Sequence, residues 1–228
     1  MNFFFTSLLA ILLISPFSYS QSNCSKYYPF KEGATFTYTN YNKKGKESGG
    51  INYKLINLRN DGKNEVITMS AKIIDKKGKE SMDFAYDITC DGNGISIDYN
   101  SLGNMMLKQF ESMETEITGT NIIIPNDLSV GQKLPDSNMN MKISMGITME
   151  INVKVINREI IAKEKVTTPA GIFDCYVLQV TSVVDMMGKK MTTTSKSWFA
   201  EGVGMVKQIS NGKDGKTENS SVLTKLSL

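Results

Sequence analysis

The stretch 139–155 constrains the fold more than any other part of the chain. Every odd-numbered residue in it is apolar, and every even-numbered one is polar or glycine. A period of two puts its nine apolar side chains on one face of a β ribbon and the polar set on the other. As a single strand it would run about 56 Å at about 3.3 Å per residue, well beyond ordinary strand length, so it must turn. A two-residue turn would exchange the parity of the arms, whereas a three-residue loop preserves it. Ser144-Met145-Gly146 suits such a loop, with Gly146 left-handed at its third position. The expected hairpin has Ile143 opposite Ile147 and Met141 opposite Met149, and its second arm runs on to about Lys165.

Punctuation elsewhere is regular. Lys44-Gly45-Lys46, Asp61-Gly62-Lys63 and Lys77-Gly78-Lys79 recur about every sixteen residues, and the hexapeptide beginning at Lys43 repeats letter for letter at Lys76. Glycine supplies the left-handed position of a tight turn and lysine keeps the tip wet. The hexapeptide therefore reads as a solvated hairpin tip before it reads as a basic binding motif. Between the turns lie β-rich segments at 34–41, 51–58, 65–74, 82–90 and 95–99, an antiparallel meander. A strand at 116–124 ends at Pro125 and is followed by a loop to Pro135. After the hairpin come strands at 172–184, 191–199, 205–210 and 219–226. Leu102, Met105, Met106, Phe110 and Met113 follow helical spacing and Ser101 can cap, so one amphipathic helix is expected at 101–114. It is either laid on the sheet as packing or set as a lid over an apolar cavity.

The first twenty residues carry no charged side chain, hold an apolar run broken at Ser15-Pro16, and end in Ser18-Tyr19-Ser20. This fits an export signal over 1–20, too short and interrupted for a membrane span, followed by one domain over 21–228. Lipidation at Cys24 would need a small residue where Asn23 stands. Three cysteines in an exported chain suggest one disulfide and one spare thiol. Cys24–Cys90 would tie the polar N-terminal segment to the sheet and leave Cys175 packed in an apolar strand.

Several chemistries are excluded. The chain has no histidine, which removes Ser-His-Asp and Cys-His nucleophile systems and histidine zinc sites. No nucleotide-binding or nucleophile-elbow motif occurs. Asp87, Asp91 and Asn93 are explained by a turn without Ca²⁺. A net charge of +3, spread along the chain, does not point to nucleic acid.

Four phrases carry a resemblance: Tyr28-Pro29-Phe30-Lys31-Glu32-Gly33, Leu128-Ser129-Val130-Gly131, Thr168-Pro169-Ala170-Gly171-Ile172-Phe173-Asp174-Cys175-Tyr176, and Trp198-Phe199-Ala200-Glu201-Gly202-Val203-Gly204-Met205-Val206-Lys207. In this order they resemble the TapB-like family of exported bacterial proteins, a domain-of-unknown-function group, over essentially the whole mature chain. The resemblance brings no catalytic residues with it. It implies an architecture similar to the LolA/LolB type, a curved antiparallel sheet wrapped partly around a helix.

The expectation is therefore a mainly β half-barrel of roughly eleven strands with one helix, in an exported, periplasmic or extracellular, non-enzymatic envelope protein without a cofactor. Its apolar, methionine-rich face would bind a hydrophobic, lipid-like molecule, with Met105, Met106, Phe110, Met139, Met141, Ile143, Ile147, Met149 and Trp198 as the ligand-facing candidates. A structural or adaptor module binding an envelope protein is the alternative. Cu(I) held by methionine thioethers, with Met139 and Met141 spaced for it, is a third.

Overall fold

Glycine-centred tips fold this chain into a run of hairpins, seen in a computed structural model that describes residues 24–107, 113–144, 146 and 148–228. The expected signal 1–20, Phe110, Met145 and Ile147 lie outside the described residues, as do the side chains of Met105 and Met106. The strands are β1 Thr35–Asn42, β2 Glu47–Asp61, β3 Asn64–Asp75, β4 Glu80–Cys90, β5 Gly94–Ile97, β6 Glu114–Gly119, β7 Ile122–Pro125, β8 Ser137–Ser144, β9 Thr148–Thr168, β10 Gly171–Met186, β11 Lys189–Ala200, β12 Gly204–Asn211 and β13 Thr217–Ser227. One helix, α1 Tyr99–Leu107, sits between β5 and β6. All thirteen strands form one antiparallel sheet in the order β6-β8-β9-β10-β11-β12-β13-β1-β2-β3-β4-β5-β7. The mainly β class and the curved antiparallel sheet with one helix are as expected. The sheet is open, not closed into a barrel.

Thirteen strands stand where about eleven were expected, and the segment 116–124 supplies the main difference. It is not one strand but two, β6 and β7, lying at opposite edges of the sheet and separated in sequence only by Thr120 and Asn121. The upper part pairs with β8 and the lower part with β5. Gly119-Thr120-Asn121 interrupts the apolar positions between Ile117 and Ile122, but nothing local says that the two halves join different partners. The two edges are thus covalent neighbours, and the sheet curls until they meet at a seam.

Asn121 anchors the start of β7 on the β5 side by accepting from the Tyr99 amide (3.1 Å) and donating to Ser96 Oγ (2.9 Å). Arg158 of β9, only 2 % exposed, reaches across the seam. Its Nη2 donates to the Ile123 carbonyl of β7 at 2.8 Å and its Nη1 to the Pro135 carbonyl at 2.5 Å. Burial lowers the basicity of this guanidinium, partly offset by nearby Asp136. The loop before β8 also lies along β9, with Leu134 N donating to Arg158 O and Ile160 N to Gln132 O.

Arg158 points inward because β9 bulges there. Ile156 pairs with Thr181 and Glu159 with Gln179, so Asn157 and Arg158 together face Val180 alone. Asn157 takes φ 53°, and asparagine tolerates that left-handed position better than most residues. An equivalent bulge breaks β2 at Asn57, also φ 53°. Lys54-Leu55-Ile56-Asn57 and Lys154-Val155-Ile156-Asn157 are near-repeats in sequence.

The alternating stretch is a hairpin of β8 and the first part of β9, with a correction of register. Ile143 faces Met149, and Met141 faces Ile151 rather than Met149. Pairing closes at Ser144 with Thr148, so Gly146, φ 79°, is the middle and not the third residue of the loop. The ladder closes symmetrically about the one residue that adopts positive φ without strain. Three intervening residues preserve parity, and both arms keep their apolar side chains on one face. The helix also begins two residues earlier than expected. Asp98, not Ser101, is its cap, its Oδ1 accepting from Ser101 N at 2.6 Å. Glu114, expected at the helix end, opens β6.

Cys24 and Cys90 form the expected disulfide, and Cys175 is free and buried. Asn126 reinforces this corner. It accepts from Lys26 N and donates to the Cys24 and Gly92 carbonyls, each within 2.9 Å.

Candidate functional site

The inward side chains form two apolar regions. The smaller lies beneath α1. Met141 and Ile143 are fully buried there (0 % exposed) with Leu107, and Met113, Ile117, Met139, Met149, Ile151 and Val153 pack around them. Gly103 lets the helix settle: a Cβ there would come within 2.8 Å of Ile117 Cγ2 and 3.1 Å of Met139 Sδ. The predicted candidates Met139, Met141, Ile143 and Met149 are therefore brought together, roofed by the helix and packed as core. Trp198 lies away from them in the main core, where its indole N–H donates to Glu164 and the Lys207 ammonium sits 4.9 Å from its ring centre.

The larger core contains a cavity that sequence reasoning did not find. It measures about 60 Å³ and is lined by Tyr28, Phe36, Tyr38, Tyr53, Met69, Tyr86, Val203 and Met205. Phe36 and Tyr38 come from β1, Tyr53 from β2, Met69 from β3 and Tyr86 from β4, at alternating positions. Tyr28 comes from the N-terminal segment that the disulfide holds down. Gly204, φ 90°, makes room for it, since a Cβ there would lie 3.2 Å from the Tyr28 ring. Two of the four phrases in the sequence, those around Tyr28 and around Gly204, therefore meet at this cavity. Each tyrosine is unremarkable in a strand of its own, and no sequence motif marks them as neighbours.

The hydroxyls fall into two kinds. Tyr38 donates to the Met205 carbonyl, and Tyr86 Oη contacts Met69 Sδ at 3.0 Å. The Tyr28 and Tyr53 hydroxyls make no hydrogen bond among the described residues. The Tyr38 and Tyr53 rings meet edge to face at 5.7 Å. Burial pushes Tyr53 up to about 12, and it raises Tyr28, Tyr38 and Tyr86 well above an ordinary phenol, with neighbouring tyrosines adding to the effect on these three. Such groups are hydrogen-bonding neutrals, not bases or nucleophiles, near neutral pH. The Cys175 thiol is likewise raised, to about 11, first by burial and then by Asp174 and Glu164.

The other candidates resolve as structure. Asp87 pairs with Arg59 at 2.7 Å, and Asp91 accepts from Asn93 N in its turn. Among the described residues no group of three His, Cys, Asp or Glu side chains could hold a metal, and no helix is long and apolar enough to cross a membrane.

Comparison with known proteins fits this architecture. Residues 31–223 match the model of the DUF3108-like family. Among solved structures, a proposed exported protein with a YmcC-like fold from Bacteroides fragilis superposes with a TM-score of 0.70 at 20 % identity. A proposed lipoprotein from Parabacteroides distasonis does so with 0.70 at 17 %. Each alignment covers 90 % of this chain and 100 % of the other. No curated protein matches the chain.

Proposed function

Because the chain belongs to the DUF3108-like family, consistent with the resemblance to a domain-of-unknown-function group of exported proteins, we propose that it is an exported, non-enzymatic envelope protein that binds a lipid-like molecule within its curved sheet. The observation that carries this reading is the tyrosine cavity. Aromatic rings and two methionines line the space, and two of the rings, Tyr28 and Tyr53, carry hydroxyls with no hydrogen-bond partner among the described residues. An apolar body with one polar head matches that lining. The Cys24–Cys90 disulfide fits the oxidising side of an export pathway, as does the expected signal. The high phenol and thiol pKa values and the missing histidine argue against catalysis.

The size of the cavity favours a second reading. About 60 Å³ is less than half of the roughly 150 Å³ that holds a benzene ring. A ligand there must therefore displace Tyr28 or Met205 from the lining. If neither moves, the core is solid and the protein is an adaptor for an envelope partner. Denaturing extraction of the purified protein with mass spectrometry, plus titration with a fluorescent apolar probe, separates the two. A co-purifying amphiphile, or probe uptake raised by Tyr28→Ala, which opens the space, and lowered by Tyr53→Phe, which removes a polar anchor, supports the carrier. No extractable ligand and no uptake refutes it.

A further inference from the structure

Topology concentrates charge that the sequence spreads along the chain. Neighbouring strands are antiparallel throughout. The β1–β2, β3–β4, β8–β9, β10–β11 and β12–β13 turns therefore fall at one end of the sheet. The β2–β3, β4–β5, β9–β10 and β11–β12 turns fall at the other. The hairpin turns at the first end include eight lysines and one acid, Asp214, with Glu47, Asp75 and Glu80 at the adjoining strand ends and Asp98 before α1; those at the second include Lys63, Asp91 and Glu201, and the longer β7–β8 connection there adds Asp127, Lys133 and Asp136. Six of the eight lysines are the two copies of the repeated hexapeptide, Lys43, Lys44 and Lys46 with Lys76, Lys77 and Lys79. The other two are Lys213 and Lys216. All eight are exposed. Among the described residues only Lys216 has an acid within ion-pair distance, Asp214 at 3.6 Å.

Exposed methionine shares this end. Met186, Met187 and Met191 flank the β10–β11 turn and Met82 flanks the β3–β4 turn, all at least 40 % exposed. Met187 is 74 % exposed and holds φ 53°. A large apolar side chain so exposed in a strained turn position opposes both solubility and local backbone preference. An arc of lysines on three neighbouring turns likewise adds nothing to the fold.

We propose that this end of the sheet docks on an anionic lipid bilayer. Lysines would lie among the headgroups, and the methionine tips would enter the boundary with the acyl chains. The methionines decide against a soluble polyanion, to which an apolar tip offers nothing. The proposal is independent of the tyrosine cavity, because vesicle binding reads the rim alone.

The test compares phosphatidylcholine vesicles with and without phosphatidylglycerol, using protein recovered from the export compartment of the host and variants in the same form. We expect binding at least about tenfold tighter with phosphatidylglycerol. Reversal of Lys43, Lys44, Lys76 and Lys77 to Glu should abolish the preference. Conversion of Met186, Met187 and Met191 to Ser should leave a weaker attachment that moderate salt releases completely. The parent's own salt dependence supplies a measurement that no variant's folding can confound. Equal binding to both vesicles, or an unchanged lysine variant, overturns the proposal. So does a DNA duplex that binds as tightly as the anionic vesicles and is just as indifferent to the methionine changes.

Discussion

Arg158 offers the sharpest test of how the two edges of the open sheet are held together. Arg158→Met keeps most of the aliphatic stem but removes the donors to Ile123 O and Pro135 O. Charge-assisted hydrogen bonds contribute roughly 1.5–3 kcal/mol each. Their loss is offset because burying the guanidinium, whose Nε has no partner among the described residues, itself costs several kcal/mol before pairing. The partners are neutral carbonyls, and Ile123 is partly exposed, so its oxygen recovers some hydration. The balance is a destabilisation of about 2–3 kcal/mol, a fall in Tm of about 5–10 °C for a domain this size. Arg158→Lys can reach one carbonyl and should lose about half as much. Urea unfolding followed by the single, buried Trp198 reads both, and amide exchange at Leu134 and Ile160 should quicken before global unfolding. A parental midpoint for Arg158→Met, or a lysine variant less stable than the methionine one, would refute the latch.

Other outcomes follow from the same contacts. Cys24→Ala with Cys90→Ala opens a loop spanning 66 residues and should cost about 4 kcal/mol by the chain-entropy relation, read by urea unfolding. Met141→Ala empties a fully buried position and should cost about 2–5 kcal/mol; a cost below 1 kcal/mol would show that the helix-covered cluster collapses or is already loose. Gly103→Ala should prise α1 from Ile117 and Met139, detected as raised uptake of an apolar probe. Stability should fall above about pH 10. Tyr28, Tyr38, Tyr53 and Tyr86 hold their protons more tightly when folded, so the unfolded chain releases protons first and each contributes a slope of up to about 1.4 kcal/mol per pH unit. For Tyr53 that loss ends near its folded value of about 12. A melting temperature flat from pH 9 to pH 11 (about one unit either side of a free phenol) would contradict the buried cluster.

Much of this molecule was legible locally. Alternation at 139–155 identified a strand pair with a single buried face, because parity is a property of the backbone and survives any choice of partner. Glycine turns located the hairpin tips, and the expected Cys24–Cys90 pairing, one of three that three cysteines allow, is the one formed. Tertiary structure alone decided the rest. The interruption at Gly119-Thr120-Asn121 marks a break in its segment, but which edge of the sheet each half joins is a matter of tertiary pairing. Arg158 looks like a surface charge until a bulge at Asn157 turns it inward. The four tyrosines meet because β1 to β4 curve together with the N-terminal segment, and the lysines of separate turns share one end because every strand reverses. Pairing distance along the chain carries no record of curvature or closure, and those two properties create both the cavity and the charged rim.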